Sequence, residues 1–240
     1  MMDIDIAFRM STDSNGKDPD THSKTLKGYH KFLWSKELPS GEIFRLEEGV
    51  AKRYLTFHGA AGEQFMSSDS MGNSFSHHKG KKMSAVLSQI DPSLLKEFRE
   101  INSTIGGFIL FPGNKVDGLA TINGLRGLNR KIADRFDLTL ECIRRHYLSL
   151  DSPLREVLER YGNFFDLFKD FRSYVDFFHL NDLVSPDYSE IRFFILSEPL
   201  FESSGLPRDV PDYLEYRANS MNFVRLRNLR LSNWAANQRF

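Results

Sequence analysis

The segment from Phe108 to Tyr147, FILFPGNKVDGLATINGLRGLNRKIADRFDLTLECIRRHY, places an apolar strand, a Pro-Gly turn and a charged helix in direct succession. The run Ile105–Phe111 is apolar and ends at Pro112-Gly113, which predicts a buried strand. Apolar residues then recur at helical spacing as far as Tyr147, so we expect one long helix with one buried face. The polar face of that helix is the first place to look for a functional site.

Working outward, short segments of partial alternation in the first half of the chain indicate an antiparallel meander. Besides Ile105–Phe111, strands are predicted over Ile4–Phe8, Glu42–Leu46, Tyr54–Phe57, Glu63–Met66 and Ile191–Leu196. Helices are predicted over Thr25–Lys36, Val86–Ile90, Pro92–Ile101, from Pro153 onward, over Ser173–Val184 and over Pro211–Trp234. We expect a single α+β domain over 1–240, in which a sheet-rich part (1–115) holds a mostly antiparallel sheet and a helix-rich part (116–240) packs its helices against it.

Composition excludes several classes of protein. Lys plus Arg equals Asp plus Glu at 32 each, so no strong net field recruits nucleic acid or a membrane surface. One cysteine rules out a disulfide framework within the chain and suits a reducing compartment. No apolar run reaches the roughly 20 residues of a transmembrane helix, and the acidic N-terminus does not resemble a signal peptide. These features predict a cytoplasmic protein.

Four residues at the start of the predicted long helix suggest an anion site. Thr121 is placed to cap the helix, whose free N–H groups attract negative charge. Asn123, Arg126 and Arg130 follow on its polar face, where guanidinium groups can clamp a phosphate. We therefore expect a phosphate-bearing ligand, either a nucleotide or a nucleic acid, with both arginines facing solvent.

Further along the same face stand three carboxylates, Asp134, Asp137 and Glu141. Asp137 and Glu141 are a like-charge pair at i,i+4, which needs a partner. If the three held Mg²⁺, metal-assisted phosphodiester cleavage would follow. The alternative is that the stripe is an ion-pair seam between packed helices in a structural or interaction module, with a protein as partner.

Two further residues of this helix carry hypotheses. Asn129 projects into the apolar arc, so we expect it to be buried with its amide hydrogen-bonded, and to anchor a neighbouring loop rather than bind a ligand. Cys142 has His146 four residues later, which permits a nucleophile and base pair, although an inert buried thiol is the more common outcome.

A polar segment, Ser67–Lys82, lacks the apolar residues needed to order itself and is predicted to be a loop. The lysines Lys79, Lys81 and Lys82 could contact phosphate or could simply be solvated. The adjacent histidines His77 and His78 are a poor metal pair, because neighbouring side chains point in different directions.

Several segments together resemble a family of uncharacterised bacterial proteins that spans nearly the full chain: GKDPD, LWSKELPSGEIFRL, FPGNKVDGLATINGLRG, DRFDLTLECIRRHY and YVDFFHLNDLV. The resemblance implies a bacterial, cytosolic, single-chain protein. It carries no assigned activity, so it assigns no catalytic residue.

Overall fold

The computed structural model describes residues 3–49, 54–59, 62–77, 80–196 and 200–238. Within these ranges four strands form one antiparallel sheet in the order β1-β2-β3-β4, so each strand pairs with its neighbour in sequence. The strands are β1 Leu46–Glu48, β2 Leu55–Gly59, β3 Gly62–Ser70 and β4 Phe108–Pro112. The fold is α+β, as the sequence predicted.

The longest strand, β3, is what holds the sheet together. Its first half pairs with β2 and its second half with β4, and Met66 lies opposite both Leu55 and Pro112. Strand β4 is buried along most of its length, in agreement with its apolar sequence. The polar end of β3 is therefore fixed against a buried strand.

The described residues contain ten α-helices, which lie in both halves of the chain. They are α1 Pro19–His22, α2 Lys24–Trp34, α3 Lys81–Leu87, α4 Pro92–Asn102, α5 Ile122–Leu128, α6 Phe136–Tyr147, α7 Arg155–Arg160, α8 Gly162–Asp166, α9 Phe171–Phe177 and α10 Val210–Asn237. Helix α4 begins as the sequence indicates, since the Asp91 side chain accepts a hydrogen bond from the backbone N–H of Ser93 and Pro92 stands in the first turn. Among the described residues, no helix combines the length and apolar character needed to span a membrane.

The predicted long helix is broken into α5 and α6, which is the main correction to the sequence reading. Helix α5 ends at Leu128, and Ala133 and Asp134 both adopt positive φ angles, 48° and 59°. Gly124, Gly127 and Asn129 lie within six residues of one another and are residues that weaken or end helices. The projection of one continuous helix therefore placed Arg126 and Asp137 on the polar face, although both are buried, while Ile122 and Phe136 are buried as predicted.

Other boundaries also differ from the predicted ones. The segments Ile4–Phe8 and Ile191–Leu196 are not strands, because their buried apolar residues pack on the core without a neighbouring strand beyond isolated bridges. Ser67–Ser70, predicted as loop, forms the end of β3. In the helix-rich part, the helix predicted from Pro153 begins at Arg155, and the one predicted over Ser173–Val184 ends at Phe177.

The C-terminal helix α10 is tied to the sheet by a buried arginine. The Arg227 guanidinium, fully buried, donates to the backbone oxygens of Phe108 at 2.7 Å, Gly106 at 2.9 Å and Phe178 at 2.9 Å. It also lies over the Trp34 ring, 5.5 Å from the centroid. Burial lowers the pKa of Arg227 to about 9, so the side chain remains charged at neutral pH. One cation thus joins the start of β4, the end of α9 and helix α10.

Replacing this cation should destabilise the fold strongly. Arg227→Met leaves three buried carbonyl oxygens without a donor, and we expect the free energy of unfolding to fall by about 3 kcal/mol or more. The control is Arg225→Ala on the same helix, where a half-exposed side chain pairs with Glu97 and its loss should cost less than about 1 kcal/mol. Urea denaturation of both variants measures the difference, and equal losses would contradict this role for Arg227.

Candidate functional site

The side chain of Arg126, at the centre of the candidate site, is completely buried, which corrects the expectation that it faces solvent. Its guanidinium donates to the Asp69 carboxylate at 2.5 Å, to the Ser70 carbonyl oxygen at 3.2 Å and to the Thr139 hydroxyl at 3.0 Å. The Asp134 carboxylate lies 3.7 Å away. Arg126 therefore connects the end of β3 with α5, α6 and the connection between them.

The two carboxylates beside Arg126 are in an unusual electrostatic setting. Their side chains are 24% and 27% exposed, so both are largely removed from water. Burial raises the pKa of Asp69 to about 6, against the lowering effect of Arg126, and Asp134 raises it further. Burial also raises the pKa of Asp134. Carboxyl groups with raised pKa values are more common at functional sites than elsewhere, and of the two Asp134 lines a cavity.

The segment that follows β3 carries a second polar residue into the site. The Asn73 side-chain amide donates to Asp134 at 3.1 Å, and its oxygen accepts from the backbone N–H of Phe75 at 2.7 Å. Helix α10 holds this segment, because the Tyr216 hydroxyl accepts from the backbone N–H of Asn73 and the Tyr213 hydroxyl donates to the Ser74 carbonyl. The position of Asn73 is thus set by contacts that are distant in sequence.

A cleft of about 680 Å³ opens between three parts of the chain. One wall is the connection between α5 and α6, residues 127–134; the others are the start of α3 and residues 203–208. We call it the Arg130 cleft, after the arginine on its rim. Asn73 and Asp134 also line it, and Phe75 and Leu206 provide part of its apolar wall. Its volume is in the range of pockets that bind small molecules.

The Arg130 cleft carries three cationic side chains. Arg130 and Lys82 are exposed, and neither has an ion-pair partner among the described residues. Arg208 also lines the cleft, but its guanidinium is engaged with the carboxylate of Asp212, at 2.5 Å. Arg130 and Lys82 therefore supply positive charge that the described part of the chain leaves uncompensated.

The other predicted anion-binding residues lie elsewhere. Thr121 does cap α5, since its hydroxyl accepts from the backbone N–H of Gly124. The Arg130 cleft, however, is bordered by the C-terminal end of α5, so the helix end that attracts anions points away from it. Asn123 directs its amide toward the carbonyl and hydroxyl oxygens of Ser67, at 3.5 and 3.4 Å. Of the four residues, the structure places Arg130 on the cleft.

The three carboxylates proposed as metal ligands are not brought together. Asp137 is fully buried and forms a paired contact with Arg135 at 2.6 Å, and Glu141 binds Arg144 and Arg145 at 2.7 and 2.8 Å. Asp134 points toward Arg126 and Asn73 instead. Among the described residues, no three His, Cys, Asp or Glu side chains lie where they could hold a metal ion together. The like-charge pair of the sequence reading is thus neutralised by arginines.

The contacts of Asn129 and Cys142 indicate that both residues have structural roles. The Asn129 amide is hydrogen-bonded, donating to the Pro153 carbonyl at 3.0 Å and accepting from the backbone N–H of Lys131 at 2.9 Å. The residue is half-buried at the end of α5, rather than buried in mid-helix as predicted. The Cys142 thiol is buried, and burial raises its pKa to about 12, so it does not form a thiolate at neutral pH.

Sequence reasoning missed most of the residues that surround the cleft. Asp69 and Asn73 lie in the segment predicted as a loop, and the wall at 203–208 carried no recognised signal. Lys82, one of three lysines noted from the sequence, does line the cleft, whereas His78 and Lys79 lie outside the described residues. Residues Phe65 to Asp69 read Phe-Met-Ser-Ser-Asp, without the alternation that identifies a strand, so no local signal marked the end of β3.

The fold and the site define an α+β protein in which a buried arginine network adjoins a cleft of about 680 Å³. The chain belongs to a family of unknown function, DUF6994, whose model matches residues 4–231. Comparison with curated proteins and comparison with solved structures each give no significant match.

The network around Arg126 generates a stability prediction. In Arg126→Met the carboxylates of Asp69 and Asp134 lose their counter-charge, and we expect the free energy of unfolding to fall by about 3 kcal/mol, at the low end for a broken buried pair because both carboxylates retain some exposure. In the double variant Arg126→Met/Asp69→Asn one stranded charge is removed, so about half of the loss should be recovered. Urea denaturation tests this, and additive losses in the double variant would contradict the pairing.

A second prediction concerns pH and Asp20, which sits in α1 and accepts hydrogen bonds from the backbone N–H of Ser68 at 2.8 Å and from the hydroxyls of Ser67 and Ser68. Burial raises its pKa from 3.8 to about 6. Between these values the folded state binds more protons than the unfolded state, so the free energy of unfolding falls as the pH rises through this window.

Asp20→Asn removes this titration. We expect the variant to lose less stability than the natural chain between about pH 4 and about pH 7, by on the order of 1 kcal/mol. The control is Asp187→Asn, because the pKa of the exposed Asp187, lowered to about 2 by hydrogen bonds from Ser185 and Ser189, lies below the window. Thermal unfolding at both pH values supplies the comparison. An unchanged pH dependence in Asp20→Asn would show that Asp20 titrates normally.

Proposed function

We propose that this protein binds a small phosphate-bearing molecule, such as a nucleotide, in the Arg130 cleft. The observation that carries the proposal is the pair of exposed cations, Arg130 and Lys82, on the rim of a cleft of about 680 Å³. A guanidinium group offers paired N–H donors that match phosphate oxygens, and an ammonium group adds a point charge. The apolar part of the wall would cover the uncharged part of the same ligand.

The carboxylate of Asp134 determines how a phosphate-bearing ligand would be oriented in the cleft. An anion placed against Asp134 would be repelled, so the phosphate belongs near Arg130 and Lys82, and a hydrogen-bond donor of the ligand belongs near Asp134 and Asn73. Arg126 then acts as a positioning residue, because its contact with Asp134 helps to set where that carboxylate points. This differs from the sequence expectation that Arg126 clamps the anion directly.

A nucleic acid fits the charge distribution less well than a small molecule. The chain has a formal net charge of zero, and the candidate cations stand on the rim of one cleft. Nucleic-acid interfaces generally present a broad basic surface that follows the phosphate backbone. A nucleotide therefore remains the preferred ligand class within the original hypothesis. We further propose a cytoplasmic setting, from the composition, and a bacterial source, which only the resemblance of the sequence segments implies.

A structural role, as an ion-pair seam between packed elements, is a second candidate function for some of the charged residues of α5 and α6. Arg126, Asp137 and Glu141 are all buried in ion pairs, which supports a structural role for these three residues. It does not account for Arg130 and Lys82. The metal-dependent phosphodiesterase gains no support from this geometry, since Asp137 and Glu141 are committed to arginines.

Isothermal titration calorimetry with ADP tests the proposed function. We expect ADP to bind the natural chain, and both Arg130→Ala and Lys82→Ala to weaken it at least about tenfold, since each removes a charge-assisted contact. The matched control is Lys115→Ala, an exposed lysine that does not line the cleft, which should leave affinity unchanged.

Two results would contradict this proposal. One is ADP binding that is the same in all three variants. The other is tighter binding of a single-stranded RNA oligonucleotide than of ADP, with a steep dependence on salt, which would favour a nucleic-acid ligand.

A further inference from the structure

A second cavity, of about 410 Å³, adjoins the Arg130 cleft. Its walls come from the segment after β3, residues 70–77, from the end of α4 and from Phe108. Four serines line it, so we call it the serine cavity: Ser70, Ser74, Ser76 and Ser103. Asn73 and Asp134 line both spaces, so the two cavities adjoin at these side chains.

Hydrogen bonds within the wall leave the serine cavity rich in acceptors. The hydroxyl of Ser70 donates to the Gly72 carbonyl at 2.7 Å, and that of Ser103 donates to the Glu100 carbonyl at 2.8 Å. Ser74 and Ser76 share a hydrogen bond at 2.9 Å, which commits one of their two protons. A hydroxyl that already donates still has lone pairs to offer, so these oxygens can accept bonds from a ligand.

Two amide side chains add to the excess of hydrogen-bond acceptors in the serine cavity. Asn73 uses an amide hydrogen on Asp134, and Asn102 uses one on the Phe98 carbonyl at 2.9 Å. The side-chain oxygen of Asn102, which is only 5% exposed, has no hydrogen-bond partner among the described residues. The Asp134 carboxyl group adds two further acceptor oxygens. A ligand group suited to this wall must donate several hydrogen bonds while carrying no negative charge.

Neutral hydroxyl groups meet that requirement. A polyol donates one hydrogen bond from each hydroxyl and keeps its charge at zero, which avoids repulsion by Asp134. The apolar lining of Phe98 and the partly exposed Phe108 offers a surface for the carbon-bound face of a sugar ring. An anion, in contrast, would face acceptors on most of the wall, which it cannot pair with. The donors available to it are the exposed side chains of Arg99 and His77.

We propose that the serine cavity binds the sugar of a phosphorylated sugar, such as the ribose phosphate part of a nucleotide, whose phosphate lies in the Arg130 cleft. This inference rests on the proposed function, because it takes the phosphate to be at Arg130 and Lys82. Asp134 and Asn73, at the junction, then contact the sugar hydroxyls nearest the phosphate. The affinity of the protein should consequently depend on the hydroxyl groups as well as on the charge.

Calorimetric titration with ribose 5-phosphate, 2-deoxyribose 5-phosphate and inorganic phosphate separates the two contributions. For the natural chain we expect ribose 5-phosphate to bind at least about tenfold more tightly than inorganic phosphate, with the deoxy sugar in between. In Ser74→Ala/Ser76→Ala, affinity for ribose 5-phosphate should fall at least about fivefold while affinity for inorganic phosphate is unchanged. Arg130→Ala should weaken both ligands.

The control is Ser88→Ala/Ser93→Ala, which removes two exposed serine hydroxyls away from both cavities and should alter neither affinity. Thermal unfolding of each variant verifies that it is folded. If ribose 5-phosphate binds no more tightly than inorganic phosphate, while both depend on Arg130, the sugar site is overturned and the proposed function stands. If neither ligand binds, both proposals fail.

Discussion

The burial of the Arg126 guanidinium is the constraint on which the rest of the site depends. A charged group without solvent must have all its donors engaged and its charge balanced, or the cost of removing it from water is not recovered. Asp69, Ser70 and Thr139 accept its hydrogen bonds, and Asp134 stands close enough to share its charge. These partners come from β3, α6 and the connection after α5, so satisfying one side chain fixes three elements relative to one another.

That network leaves two carboxylates competing for one cation. Burial raises the pKa values of Asp69 and Asp134 because Arg126 cannot fully offset the desolvation of both. A well-packed apolar cluster of similar volume would be at least as stable, so stability alone gives little reason to keep three charges here. A carboxylate at the junction of two cavities is explained if a ligand donates hydrogen bonds to it. The cost of burying the Asp134 carboxylate is thus consistent with its proposed role in ligand binding.

How much the sequence could predict depended on the range of the interactions involved. The buried strand β4, the start of α4 at Asp91 and the long helix α10 follow from local signals, namely an apolar run, an N-cap with proline, and helical periodicity. The break between α5 and α6 had a local signal as well, in Gly127 and Asn129, but the apolar periodicity on both sides outweighed it. Because the two helices were read as one, Asp137 and Glu141 were assigned to the polar face although both are buried, whereas Ile132, Phe136 and Ile143 are buried as expected.

The remaining errors involve contacts that no local pattern contains. The polar composition of Ser67–Ser70 predicts a loop, yet the segment forms a strand because β4, about 40 residues later in the chain, offers a free edge. Its polar side chains also find partners, since Asp20 accepts a hydrogen bond from Ser67 and Arg126 donates one to Asp69. The wall at 203–208 reaches the cleft through the backbone bond from Gly205 to the Arg130 carbonyl and through Arg135, which donates to the Gly205 carbonyl. The positions of the polar side chains of Ser67–Ser70 are therefore determined by their partners and not by their own sequence. For that reason a prediction from the local sequence assigns this segment to a loop.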